Sequence, residues 1–238
     1  MSNGKERSYV PPRFIARLKR SLRKRHLLDR FGQHWKPDES GFQKRQYDSY
    51  EAYLEHQKAK LETHDFGNYD TEFRQALRER LAATDFAWRG RTVLCLGARI
   101  GTEVKAFLDL GCFAVGIDLN PGEANRYVLA GDFHDLQFAP NSVDVVYTNS
   151  LDHLFDGNRL AKEVTRILKP DGVFIVEAVN GSAKGVAPGF FESFFWGETS
   201  DLVRMFEESG FTSTRRAAIR FPWPGEAIWF KPVSKKPE

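Results

Sequence analysis

In this chain a buried strand and a glycine turn follow one another in the segment Thr92-Val93-Leu94-Cys95-Leu96-Gly97-Ala98-Arg99-Ile100-Gly101. A second strand leads to an acidic residue in Ala114-Val115-Gly116-Ile117-Asp118, and a short third strand leads to another in Gly131-Asp132-Phe133. Ligands of α/β sheets bind in the crevice beyond the carboxyl ends of the strands, so these segments bring a glycine turn and two carboxylates to one edge. This order predicts a nucleoside site.

Runs with the pattern of strands alternate with runs that have the pattern of helices on both sides of the glycine turn. We predict strands at 92–97, 113–117, 127–130, 143–149, 173–179, 211–221 and 226–232. We predict helices between them at 101–110, 157–168 and 200–210. Near-continuous apolar runs such as Val143 to Tyr147 suit strands buried on both faces. The fold class is therefore α/β: a doubly wound, mostly parallel seven-stranded sheet with a C-terminal β-hairpin.

An extension precedes this sheet domain. After a loop near 36–41, helices are predicted at 44–63 and 71–84. We divide the chain into parts of different character, namely a basic amphipathic arm at 1–30, a helical extension flanking the ligand site at 31–87, and the sheet domain at 88–238.

The arm contains ten Lys or Arg residues and only two acidic ones, so it predicts an anionic partner. Within it, residues 13–26 form a basic amphipathic helix whose apolar face is made of Phe14, Ile15, Leu18 and Leu22. Such a helix can dock weakly on the protein's own surface, contact an anionic membrane peripherally, or contact nucleic-acid phosphates. Of the two external partners, we favour the membrane over nucleic acid.

The bulk composition sets the class of protein. With 238 residues and 41% hydrophobic residues, the chain can build one full-sized core. No run approaches the roughly 20 apolar residues that cross a bilayer, and the N-terminus has no apolar segment like that of a secretory signal. We therefore expect a cytoplasmic protein with peripheral membrane contact through its arm. The two cysteines, Cys95 and Cys112, fit packing roles in core strands.

Two glycines and two acids carry the predicted site. At Gly97 and Gly101 the missing side chains let the chain turn close to a ligand, although tight packing of a strand on a helix also explains such a pair. Asp118 can accept hydrogen bonds from both hydroxyls of a ribose, or it can cap the turn that follows. Asp132 can accept from an adenine amino group while the Phe133 backbone N–H donates to the ring.

Two further landmarks are the turn Leu168-Lys169-Pro170-Asp171-Gly172 and the segment Asn149-Ser150-Leu151-Asp152-His153-Leu154. Together with the glycine turn and the acid after the second strand, they make residues 88–232 resemble the class I S-adenosylmethionine-dependent methyltransferases, in the methyltransferase type 11-like group.

The resemblance implies a Rossmann-like methyltransferase fold with S-adenosyl-L-methionine as the cofactor. It implies that Gly97, Ala98 and Gly101 line the methionine portion and that Asp118 holds the ribose. The other cofactor residues that it implies lie along the same sheet edge: Leu119 next to the ribose acid, Asp132 and Phe133 at the adenine, and Asn149 near the amino acid.

The glycine turn departs from the family pattern at two positions. The acidic residue usual two positions before the first glycine is Cys95, and the usual middle glycine is Arg99. Arg99 can donate charge-assisted hydrogen bonds to the cofactor's carboxylate, or it can crowd the pocket and leave the site inactive. Both outcomes are open at this stage.

The candidate base for methyl transfer is His153 with Asp152, after the fourth strand. His153 can instead be a packing residue that shapes the cofactor wall. The segment 180–189 and the aromatic residues after it suit a lid over an acceptor site, or ordinary packing. The histidines show no metal-ligand spacing, so no metal is predicted.

The predicted function is methyl transfer by in-line displacement to an unidentified acceptor, a small molecule or a glycan or lipid intermediate. A nicotinamide enzyme is disfavoured, because its G-x-G-x-x-G fingerprint is interrupted by Arg99. The alternative of another class is a catalytically inactive methyltransferase-fold binding module, recruited by its basic arm to a membrane or a polyanion.

Overall fold

The computed structural model describes residues 12–31, 34–38, 40–60 and 69–233. Its helices are α1 (Pro12–Phe31), α2 (Tyr50–Lys58), α3 (Tyr69–Ala82), α4 (Thr102–Asp109), α5 (Gly157–Ile167) and α6 (Thr199–Glu208). Its strands are β1 (Trp35–Pro37), β2 (Gln43–Arg45), β3 (Thr92–Leu96), β4 (Phe113–Asp118), β5 (Val128–Ala130), β6 (Val143–Thr148), β7 (Leu168–Val179), β8 (Phe194–Phe195), β9 (Phe211–Ile219) and β10 (Gly225–Pro232).

Seven strands form one sheet in the order β5-β4-β3-β6-β7-β10-β9. Strands β3 to β7 run parallel, whereas β10 is antiparallel to both of its neighbours. The chain moves outward from β3 through β4 and β5, and then returns to the other side of β3 with β6. This reversal opens a crevice at the carboxyl ends of β3 and β6. The predicted doubly wound sheet with a C-terminal hairpin is confirmed.

The alternation of side chains along the central strand β3 divides the core into two layers. Leu94 and Leu96 face a cluster that includes Phe174 and Phe206, on one side of the sheet. Val93 and Cys95 face the opposite cluster, whose members from the extension and the sheet edge include Phe73, Leu77 and Trp88. Cys95 and Cys112 are both buried free thiols, in agreement with their predicted packing roles.

The helix predicted at 44–63 was wrong at its start. Residues Gln43–Arg45 instead form strand β2, which pairs with β1 and with β8 in a small three-stranded sheet. The helix begins only at Tyr50, where the Ser49 side chain accepts the backbone N–H of Ala52. Because β8 is about 150 residues away in the chain, local periodicity could not reveal this pairing. The predicted end of the helix falls in 61–68, outside the described residues.

The basic arm forms the greater part of α1. The side chains of Phe14, Ile15 and Leu18 lie outside the described residues, and Leu22 is 59% exposed. The last turns of α1 differ, because Leu27 and Phe31 are buried in a cluster with Ala59 and Phe191. The end of α1 therefore covers part of the protein's own surface. Among the described helices, none combines the length and the apolar character needed to cross a bilayer.

Candidate active site

The glycine turn between β3 and α4 has an unusual backbone. Gly97, Arg99 and Gly101 all have positive φ, at +66°, +44° and +83°. A Cβ on Gly97 would lie 2.7 Å from Cβ of Ser150, so no larger residue fits without displacing the segment after β6. Arg99 takes up the left-handed conformation that side chains rarely adopt, at the position of the expected middle glycine.

Asp118 ends β4 directly beside this turn. Its Oδ2 accepts the backbone N–H of Arg99 at 2.9 Å, and its Oδ1 accepts that of Asn120 at 2.9 Å. Each carboxylate oxygen keeps a lone pair for a further donor. Burial raises the pKa of Asp118, while these two backbone donors and the nearby Arg99 guanidinium oppose that shift. The carboxylate is thus held rigidly, with room for two ligand hydroxyls.

A cleft with an empty volume of about 510 Å³ opens at this edge, and we call it the glycine-turn cleft. Its wall includes five of the predicted site residues, namely Gly97, Arg99, Asp118, Leu119 and Phe133. The helical extension closes the opposite side with Tyr53, Gln57 and Lys60.

Three other residues that were predicted to bind the cofactor are not among the described residues that line this cleft. Ala98 is buried beneath Gly116, where a Cβ would come within 2.6 Å of it, and Gly101 packs against Tyr127. Asp132 faces the extension: it accepts from the Tyr50 hydroxyl through Oδ2 and from both the backbone N–H and the ring of His134 through Oδ1. Burial would raise the pKa of Asp132, but those hydrogen bonds lower it.

A second and larger cleft, which we call the aromatic chamber, adjoins the first and has an empty volume of about 1430 Å³. Its walls carry large rings from the segment after β7 and from the hairpin turn: Phe190, Phe191, Phe195, Trp196 and Trp223. Among the described residues, the walls of the two clefts share four: Lys60, Arg99, Ser150 and His153. A ligand in one can therefore meet a ligand in the other at these four residues.

The extension holds the aromatic wall of the chamber in place. The buried Arg45 side chain on β2 donates from Nε to the Glu192 carbonyl at 2.9 Å and from Nη2 to the Phe190 carbonyl at 2.7 Å. Gln57 on α2 donates to the Phe191 carbonyl at 2.8 Å. These bonds tie the wall to the protein body, which favours the packing interpretation of this segment over a lid.

His153 lies in a short 3₁₀ turn, Leu151–His153, after β6. Its Nδ1–H donates to the Phe191 carbonyl at 3.0 Å, and its Nε2 accepts from Lys60 Nζ. Burial lowers the pKa of His153 well below its usual range, and Lys60 lowers it further. Asp152, whose pKa is raised by burial, has its Oδ1 3.6 Å from Nε2. Both ring nitrogens of the candidate base are therefore already hydrogen-bonded.

Metal-binding groups lie near one another here. Ligand atoms of Asp152, His153 and Glu192 all lie within 4.8 Å of one another. However, Lys60 Nζ bonds to Nε2, the ring nitrogen that faces this group. The lysine side chain supplies the cation among these carboxylates, so we assign no metal here, and its absence stays a prediction.

Asn149 connects the chamber to a buried carboxylate. Its Nδ2 donates to Oε1 of Glu103, in the first turn of α4, at 3.0 Å. Burial raises the pKa of Glu103, and the Arg99 guanidinium opposes this shift. Burial raises the pKa of Cys95, and the charge of the Glu103 carboxylate raises it further, so the two side chains lie close enough to interact. A carboxylate therefore stands behind the glycine turn even though position 95 is not acidic.

The family model of the methyltransferase domain matches residues 94–176, which contain the glycine turn, Asp118 and His153. The chain contains a class I S-adenosylmethionine-dependent methyltransferase domain. S-adenosylmethionine is accordingly the cofactor of this domain. The lining of the glycine-turn cleft fits it in chemical character, because the Asp118 carboxylate, apolar side chains and the Arg99 guanidinium line one groove.

The curated relatives of the methyltransferase domain are themselves uncharacterised methyltransferases. One from Mycobacterium sp. (strain JLS) is 35% identical over 105 residues, which cover 40% of this chain and 41% of that protein. Another, from Mycolicibacterium gilvum, is 32% identical over 106 residues, covering 40% of this chain and 42% of that protein. The chain thus spans less than half the length of these relatives.

Solved structures share the fold at low identity. The 1,6-didemethyltoxoflavin-N1-methyltransferase of Burkholderia thailandensis has a TM-score of 0.59 and 15% identity, covering 84% of this chain and all of that one. A methyltransferase dependent on the same cofactor from Leishmania major has a TM-score of 0.57 and 18% identity, covering 76% of this chain and 82% of that one. These likenesses concern the fold.

Several residues of the methyltransferase domain's site were missed from the sequence. Tyr53, Gln57 and Lys60 recur at helical spacing i, i+4 and i+7, so they share one face of the extension. That spacing was a usable signal. Nothing local pointed to Glu103, because its importance depends on its proximity to Asn149.

Arg99 offers a test of its two alternatives. Replacing it with glycine relieves the positive φ and should raise the melting temperature by a few degrees, since left-handed backbone costs a side chain about 1–2 kcal/mol. If the guanidinium binds the cofactor's carboxylate, titration calorimetry should show S-adenosylmethionine binding weakened about tenfold, since a charged hydrogen bond contributes about 1.5–3 kcal/mol. The affinity for 5′-methylthioadenosine, which lacks the amino-acid part, should be unchanged.

The matched control is Asn141→Gly, which relieves another positive φ, at +53°, on a turn remote from both clefts. It should change the melting temperature without changing either affinity. Tighter binding of S-adenosylmethionine by Arg99→Gly would show instead that Arg99 crowds the pocket.

Proposed function

We propose that this chain is an S-adenosylmethionine-dependent methyltransferase that acts on a small aromatic acceptor held in the aromatic chamber. The observation that carries this proposal is the shared wall of the two clefts. A methyl donor in the glycine-turn cleft and an acceptor in the chamber would meet beside Lys60, Arg99, Ser150 and His153. Holding two reactants together in this way supplies much of the catalysis of a displacement reaction.

The glycine-turn cleft would hold the cofactor through residues with distinct tasks. Asp118 would accept hydrogen bonds from the ribose hydroxyls, Phe133 and Leu119 would enclose the adenine, and Arg99 would pair with the carboxylate. Asp132 would not touch the cofactor. Its hydrogen bonds with Tyr50 and His134 would hold in place the segment that carries Phe133.

Glu103 would supply the negative charge that Cys95 does not. Its carboxylate lies behind the glycine turn and reaches the chamber through Asn149. This pair is suited to the ammonium group of the cofactor's amino acid, because a buried carboxylate and an amide oxygen both accept hydrogen bonds. With Glu103 in this role, the site would bind the cofactor even though position 95 is a cysteine.

The chamber favours an aromatic acceptor with polar edges. Its walls are mainly aromatic, and two of its buried polar atoms, the Glu192 Oε2 acceptor and the Trp223 Nε1 donor, have no hydrogen-bond partner in the described structure. Buried polar groups are nearly always paired, so these two indicate a ligand that carries both a donor and an acceptor. The Burkholderia thailandensis structure has bound 1,6-didemethyltoxoflavin and S-adenosylhomocysteine.

The cofactor supplies an electrophilic methyl group. The residues of this chain would align the acceptor with it and exclude water: Arg45 and Gln57 fix the aromatic wall, and Tyr53 donates from its hydroxyl to the His153 carbonyl at 2.9 Å. In-line approach to about 3 Å is the geometry that such a wall enforces.

The test is a methyl-transfer screen. The purified chain is incubated with S-adenosylmethionine carrying a labelled methyl group and with pools of phenols and nitrogen heterocycles, and labelled products are identified by mass spectrometry. Labelled product is expected from at least one aromatic pool. Cofactor binding without transfer to any pool would favour the inactive binding module instead.

Two substitutions in the chamber sharpen that screen. Glu192→Gln keeps the shape of the wall and removes a charge, whereas Trp223→Phe removes the indole donor together with one of its two rings. Each should raise the acceptor's KM about tenfold or more. Affinity for S-adenosylhomocysteine, whose sulfur carries no charge, should stay as in the wild type in both variants, as it should for the exposed control Glu72→Gln. An unchanged KM in both chamber variants would contradict the assignment of the acceptor site.

A further inference from the structure

We propose that Lys60 is the general base of the transfer, and that the acceptor belongs to the class that loses a proton from oxygen or nitrogen as it is methylated. This inference rests on the proposed function and names a residue and a substrate class for the same site. It replaces the earlier candidate, His153, which becomes a positioning residue for the lysine amine.

Of the four described residues in the shared wall, one is a suitable proton acceptor. The Arg99 guanidinium offers hydrogen-bond donors and no acceptor, and Ser150 is a weak base whose hydroxyl donates to Asn149 Oδ1 at 3.2 Å. His153 uses one ring nitrogen toward the Phe191 carbonyl and the other toward Lys60. Lys60 lines both clefts and carries an amine that can lose and regain a proton.

The surroundings of Lys60 adjust its protonation. Burial, and after it the positive charge of Arg99, lower its pKa to about 8, although three carboxylates oppose both effects. The charged and titratable groups around it come from several elements: Arg99, Asp118, Asp152, Glu192, His153 and His56. A base whose pKa lies near the working pH exchanges protons most effectively.

The positive charge of the bound cofactor would lower the pKa of Lys60 further. A sulfonium at the shared wall adds a positive charge next to Lys60, and a like charge favours the neutral amine. Lys60 then takes the proton from the acceptor atom while that atom bonds to the methyl carbon, and the carbon–sulfur bond breaks with its electron pair left on sulfur. One positive charge disappears at sulfur and one appears on Lys60, so the buried site keeps its net charge.

Calorimetry tests this coupling without any acceptor. We would titrate the wild type with S-adenosylmethionine and with S-adenosylhomocysteine, whose sulfur is uncharged, from about pH 6.5 to 9.5. The affinity for the first relative to the second should rise about tenfold across this range, because a charged Lys60 repels only the sulfonium. Near pH 8, in buffers of different ionisation enthalpy, the first ligand should release more protons than the second.

Two variants and a control identify the residue responsible. In Lys60→Met, the affinity for S-adenosylmethionine relative to S-adenosylhomocysteine should be high, and it should vary with pH only through ionisation of the ligands themselves. In Lys60→Arg, this ratio should stay low at every pH. The control, Lys58→Met, removes an exposed charge from the end of α2 and should behave as the wild type. The same pH dependence and proton release in wild type and Lys60→Met would overturn the proposal.

The methyl-transfer screen supplies the second arm. Phenols and N–H heterocycles should be methylated, and Lys60→Met should slow this transfer at least about 100-fold. Transfer confined to tertiary amines or thioethers, which lose no proton, would overturn the proposal even though methylation was observed. Failure of the wild type to bind either ligand would instead contradict the proposed function itself, so the two failures are distinguishable.

Discussion

Replacing Asp118 with alanine is expected to weaken S-adenosylmethionine binding about 100-fold or more, as measured by titration calorimetry. The carboxylate would lose charged hydrogen bonds to two ribose hydroxyls, each contributing about 1.5–3 kcal/mol. It would also leave the backbone N–H groups of Arg99 and Asn120 without their acceptor, which loosens the turn beneath the cofactor. Asp118→Asn should fall between the wild type and Asp118→Ala.

The control for Asp118 is Asp109→Ala, which removes a carboxylate paired with Arg74 away from the cleft. It should leave cofactor affinity unchanged. The pH dependence has a definite sign: because the pKa of Asp118 is raised, the carboxylate gains a proton at a higher pH than an ordinary aspartate. Affinity should therefore fall as the pH is lowered through that raised pKa. Binding by Asp118→Ala as tight as that of the wild type would contradict the assigned role.

Replacing Gly97 with alanine is expected to abolish cofactor binding and to lower the melting temperature by about 5–15 °C. Alanine at a φ of +66° costs about 1–2 kcal/mol, and its Cβ would lie 2.7 Å from Cβ of Ser150, an overlap that costs about 1–3 kcal/mol more. The strain can be relieved only by shifting the segment after β6, which places Ser150 in the shared wall and Asn149 in the wall of the aromatic chamber.

Gly90→Ala is the matched control, since Gly90 has a φ of +80° and a Cβ there would meet nothing within 4 Å. It isolates the cost of backbone strain, so it should lower the melting temperature by only a few degrees and leave binding intact. Equal effects of the two substitutions, by calorimetry and thermal unfolding, would show that the contact with Ser150 is unimportant.

The sheet domain could be predicted closely because each of its elements carries its own local signal. The strands and the helices α3 to α6 lie within a few residues of their predicted bounds, since apolar runs and glycine turns act over short distances. The exception is β7, which already begins at Leu168 and includes the predicted turn 168–172. The end of α2 contacts the short connection from β4 to β5, where the Asn120 side chain donates to the Lys58 carbonyl at 2.8 Å. Local sequence was weakest in the extension, where β2 pairs with the distant β8.

The sequence by itself determined the order of strands and turns, and with it the edge at which Gly97, Asp118 and Phe133 meet. It did so because the carboxyl ends of parallel strands lie together whatever packs around them. Only the tertiary structure decided the chemistry of the second cleft. Lys60 becomes a candidate base through burial beside His153 and Arg99, and the Glu103 carboxylate becomes relevant through Asn149. Protonation and polar pairing depend on neighbours brought in from distant parts of the chain, which local sequence patterns do not specify.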